Sequence, residues 1–172
     1  MRNSRLSRHP MTTPAIALVA AAAFVPTAAT ADPASGTINY QSKAGPIVIN
    51  VANVYMVKGP DELSGKTIRQ LIFTADDVDA TLQHCSSMTC AGGNVMEGMT
   101  VDFDVGPRLN YWVAGNGQRV QYSGTVKPDE SLKLTADTPG HLAGTLTIDD
   151  SAAGGPKVNI RFDAKTIKQF IR

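Results

Sequence analysis

The sequence predicts an all-β chain: a single-domain antiparallel β-sandwich, with a closed β-barrel as the alternative. Three observations carry this. Short apolar–polar alternations recur along the chain, turn residues separate them, and only one short segment, near residues 76–83, has helical spacing. Helices do not alternate with the strands, which excludes doubly wound and TIM-barrel folds.

The first segment is a leader. Arg2, Arg5 and Arg8 precede an apolar run from Ala15 to Val25, and Ala29, Thr30 and Ala31 give a small-x-small pattern before Asp32. That order reads as a secretory signal peptide over residues 1–31. The run is too short to cross a membrane, which takes about 20 apolar residues. The expectation is a bacterial chain exported to the periplasm or beyond, with one domain over residues 32–172 and no membrane span in the mature chain. Only 13 of the 16 basic side chains follow residue 31, against all 15 acidic ones. The mature net charge is therefore about −2, and the lysines and arginines are scattered singly, so nucleic acid is not an expected partner.

The strands come next. In IVINVANVYMV, Ile47, Ile49 and Val51 are expected to share a face with Tyr55 and Val57, and the opposite face is also mostly apolar. Thr67 to Thr74 forms a second strand. In VDFDV, Val101, Phe103 and Val105 turn inward while Asp102 and Asp104 turn out to water. Leu109 to Ala114 and Gln118 to Gly124 flank Asn116-Gly117, a hairpin signal because both residues tolerate positive φ. Ser131 to Ala136, Leu142 to Asp149 and Lys157 to Phe162 complete the set, punctuated by KPDES, DTPG and DDSAAGGP. After Phe162 the alternation breaks, so a bulge or terminal turn is expected before Phe170 and Ile171. The helical segment is ADDVDATLQ, with Asp76 as its cap and Val78 and Leu82 on one face.

The candidate chemistry gathers in TLQHCSSMTCAGGNVMEGM. Cys85 and Cys90 are the only cysteines, and in an exported chain they are expected to form a disulfide. Closing so small a loop stabilises by about 2 kcal/mol. The alternative is copper: His84, Met88, Met96 and Met99 offer imidazole and thioether donors suited to cuprous ion. Alternation opposes it, because Met96 and Met99 point to opposite sides of a regular strand unless Gly98 carries a bulge. Asp76, Asp77 and Asp79 lack the spacing of a calcium loop. Zinc and redox C-x-x-C signatures are also missing from the sequence.

Two histidines, His84 and His141, follow the leader, and neither accompanies a nucleophile motif such as G-x-S-x-G. They define a hydrolase alternative. Tyr111 sides with Leu109 and Val113 in the core, which turns Trp112 the other way with Asn110 and Ala114. An aromatic ring in polar company on a sheet face is a recognition anchor, so Trp112 and Asn110 are the candidate ligand-binding residues. The leading expectation is a non-catalytic exported binding or accessory protein without a cofactor, whose partner is an envelope protein, a glycan or a small ligand.

Overall fold

A computed structural model describes residues 31–106, 109–123 and 127–171. Apart from Ala31, the expected signal peptide lies outside them. Nine strands are formed: β1 (Asp32–Ser42), β2 (Gly45–Pro60), β3 (Thr67–Thr74), β4 (Gly98–Phe103), β5 (Asn110–Gly115), β6 (Gln118–Ser123), β7 (Leu132–Thr138), β8 (His141–Asp149) and β9 (Lys157–Gln169). They make one sheet in the order β6-β5-β4-β3-β2-β1-β9-β8-β7. The sheet doubles over itself, sandwich-like, and stays open: β6 and β7 stand at its two ends, so it is not the closed barrel of the alternative.

Inward-facing residues of both halves share one core, where Phe73 of β3 meets Phe162 of β9 edge-on at 5.6 Å. Two polar clamps hold the halves together. At one end Arg69 of β3 grips Asp104 with two nitrogens, at 2.7 and 2.8 Å, and reaches Asp137 and the Thr138 carbonyl of β7. At the other, the Tyr111 and Tyr122 hydroxyls donate to Asp150 and to the Gly154 carbonyl in the β8–β9 connection.

β1 is the strand the alternation did not predict. Its sequence, DPASGTINYQS, has few apolar residues, yet it is central and pairs with both β2 and β9. Gly36 permits this: with φ at +148°, an added Cβ would lie 2.0 Å from the Asn159 carbonyl oxygen of β9. Beyond the start of β1, β2 and β9 meet directly and in parallel. There Met56 pairs with Thr166 and Val57 with Lys168, so the expected break in alternation is a bulge at Ile167.

β2 departs from the expected pattern. Ile47, Ile49 and Val51 join Val54 and Met56 in the main core, whereas Tyr55 and Val57 face the other side. The facing parity changes at Ala52 and Asn53, opposite the register shift between Pro33 and Gly36 of β1. Tyr55 and Val57 therefore enter a second apolar cluster, covered by α1 (Asp79–His84) and α2 (Met88–Gly93).

α1 begins later than its sequence signal. Asp76 does not cap it; Asp77 accepts from the Asp79 N–H at 2.9 Å and from the Tyr55 hydroxyl at 2.7 Å, and Val78 occupies the cap position. Leu82 is the side chain α1 buries. At its other end, Lys168 of β9 donates to the carbonyls of Leu82, Gln83 and Cys85, where a cation also favours the helix dipole. Ser87 caps α2 by accepting from the Cys90 N–H at 3.1 Å. Cys85 and Cys90 are disulfide-bonded, with Cα atoms 5.4 Å apart, and the bond ties the two helices together. None of the described helices is long and apolar enough to cross a membrane.

Candidate functional site

The outer face of β3 to β6 is where polar residues meet cover. Successive strands present Gln70, Thr100, Asp102, Asn110, Trp112 and Arg119 on that side, because side chains of one parity line one face. α2 lies along one flank with Met88, Thr89 and Gly92, and the β2–β3 hairpin loop, residues 61–66, lies along another with Asp61 and Glu62. Together they enclose a groove of about 300 Å³. Thr89 donates to Glu62, joining loop and helix at the rim.

Asp102 sits at the base of this groove. The sequence predicts it exposed, but it is only 6% accessible, because α2 and the hairpin loop cover the face that strand alternation assigns to water. Gln70 Nε2 donates to its Oδ1 at 2.6 Å. Burial pushes the Asp102 carboxyl up to about 6; the Gln70 hydrogen bond lowers it, Asp61 raises it and Arg119 lowers it. Keeping such a group charged at neutral pH costs on the order of 2–3 kcal/mol.

Gln70 is equally buried, and its Oε1 has no hydrogen-bond partner among the described residues. The amide cannot simply turn round while Asp102 is ionised, because that would set carbonyl oxygen against carboxylate. The orphaned acceptor therefore stays in the groove. Gly92 keeps the space open: a Cβ there would lie 3.1 Å from Gln70 Oε1 and 3.3 Å from an Arg119 guanidinium nitrogen.

Arg119 lies over the Trp112 ring at 5.2 Å and makes a long hydrogen bond, 3.4 Å, to Thr100. Burial lowers its pKa, and the nearby Asp102 carboxylate raises it. Among the described residues it forms no ion pair with Asp102.

The sequence-derived candidates are distributed unevenly. Trp112 and Asn110, both half-buried, line the groove side by side on β5. Met88 reaches it from α2 but is otherwise packed in the apolar cluster. Met99 is fully buried in the main core opposite Phe73, Gly98 pairs in regular register without a bulge, and Met96 is 73% exposed. His84 is exposed, with Nδ1 2.6 Å from the Ala80 carbonyl. These four donors do not converge, and the described residues hold no cluster of three or more His, Cys, Asp or Glu side chains arranged for a metal. His141 lies on β8, with Nε2 2.7 Å from Asp163, away from the groove.

Gln70, Asp102 and Arg119 are the residues that sequence reading missed. A signal for them existed in the shared parity of Asp102 with the neighbours of Trp112, but only strand register places them together.

Fold and site thus define an all-β, sandwich-like domain whose disulfide-tied helical cap builds a polar groove on one outer face. Compared with family models, with curated proteins and with solved structures, the chain matches none of them.

Proposed function

We propose that the chain is an exported, non-catalytic binding module whose ligand seats in the groove beside Trp112 and Asn110. One observation carries the reading: a buried carboxylate and an unpartnered buried carbonyl, Asp102 and Gln70 Oε1, face the same groove that holds the stacked Trp112 and Arg119. A few polar groups converging in a covered concavity are the usual makings of a ligand site. Its size suits a small molecule or the tip of a larger partner, such as one residue of a glycan or of an envelope protein. Export is supported by the leader pattern and by the disulfide, which oxidising compartments preserve.

The test is a fragment screen by NMR on wild type and Gly92→Leu, whose side chain fills the groove. Bound fragments are expected to move the Trp112 indole signal in wild type and to lose affinity at least tenfold in the variant. Fragments that bind equally well to both proteins contradict the reading. Mass spectrometry of the secreted protein checks export, with a mature chain starting at Asp32 as the expected result.

A further inference from the structure

The chemistry lining the groove narrows the ligand, if the binding reading above holds. Every buried polar atom at its base that still lacks a partner is an acceptor. Gln70 Oε1 is unpartnered and its residue only 6% accessible, while Asp102 spends Oδ1 on Gln70 and takes no other hydrogen bond among the described residues. Asp61 and Glu62 add two more carboxylates at the rim. The charged donor present, Arg119, is drawn aside over Trp112.

Among the described residues three carboxylates therefore face one guanidinium, and the carboxylate with the least water has no cation bonded to it. A buried charge in that state is relieved most by an ionic partner that also fills the neighbouring acceptor. Ammonium and guanidinium groups are pure donors and do both. A hydroxyl or amide could satisfy Gln70 but leaves the charge uncompensated, and an anion is repelled.

We propose that the groove selects ligands bearing a primary ammonium or guanidinium group, held between Gln70 Oε1 and Asp102. The group belongs either to a free small amine or to a lysine or arginine side chain of a peptide. Binding is linked to protons, because a cation at Asp102 displaces the proton that burial helps it retain. Among the described residues the charged groups facing Asp102 are Asp61 and Glu62 from the hairpin loop and Arg119 from β6; β5 and α2 contribute no ionisable side chain to the groove.

The experiment is an NMR titration of the purified protein with matched probes: benzamidinium and benzylammonium, neutral benzamide, anionic benzoate, and the Nα-acetyl methylamides of lysine and arginine. The cations are expected to shift the Trp112 indole and Gln70 side-chain amide signals at concentrations at least tenfold below benzamide, and benzoate is expected to shift neither. The two amino-acid derivatives, set against the free amines, tell which source fits better. Asp102→Asn should weaken the cations at least tenfold, and Glu62→Gln, at the exposed rim, severalfold. Calorimetry at pH 6 in two buffers of different ionisation heat should register net proton release. Benzamide binding as tightly as the cations, or cations binding Asp102→Asn and Glu62→Gln undiminished, would overturn the selectivity while leaving a working groove. If no probe moves a groove signal, both this inference and the binding reading fail.

Discussion

Asp102 and Asp104 stand two residues apart in VDFDV, and strand alternation assigns both to the same wet face. The fold separates them completely. Asp102 is covered, bonded to a neutral amide, and its carboxyl rises to about 6. Asp104 lies just past the end of β4 with φ at 68°, where the Arg69 guanidinium holds its carboxyl below the usual carboxylate range. One of the pair is a destabilised charge kept at a groove; the other is a structural ion closing the sandwich. What distinguishes them is cover: α2 and the 61–66 loop reach Asp102 and stop short of Asp104.

The two sites should answer pH in opposite senses. Asp102 binds its proton more readily in the folded chain, so its contribution to stability is full below about pH 3.8 and is lost as pH rises through about 6. Asp104 contributes above the ordinary carboxylate range, and that contribution is lost as pH falls through its depressed value.

The largest expected effect is at the clamp. Arg69→Ala removes the hydrogen bonds to Asp104, Asp137 and the Thr138 carbonyl, and should cost about 2–3 kcal/mol in urea unfolding at pH 7. A loss near zero would mean that the clamp is a surface ion pair with no structural weight. Next is Asp102→Asn, which keeps the acceptor for Gln70 and deletes the charge. It should stabilise by about 2 kcal/mol at pH 7 and by nothing at pH 4, flattening the difference between the two. Asp104→Asn tolerates the positive φ and should cost about 1 kcal/mol at pH 7, since the site is partly exposed. The smallest test is the cap itself. Replacing Cys85 and Cys90 with serine loosens α2, so the Asp102 titration should move down towards the ordinary range while that of Asp104 stays in place.

Much of the architecture was legible because strands buried on one face alternate, and the first half of β2 and β9 as far as Ala164 follow that rule closely, while Asn116-Gly117 marks its hairpin. β1 escaped because Ile38 is its one residue in the buried core, with Ala34 and Tyr40 packed against it, and the Thr, Asn and Gln between them are held by backbone bonding at both edges. The parity change in β2 escaped because both of its faces are apolar, so alternation cannot say which residue belongs to which core. Half of the candidate site was legible: the parity of Tyr111 in the core turns Trp112 and Asn110 outward together. Asp102 and Gln70 were not, since their burial depends on a helix and a hairpin loop arriving from elsewhere in the chain.

A carboxyl-detected NMR titration of the two aspartates in the wild-type protein tests this contrast most directly. The account predicts that Asp102 titrates near pH 6 and Asp104 well below the ordinary carboxylate range. Both carboxyls titrating together near pH 4 would show that no cover lies over Asp102, and the groove would lose its foundation.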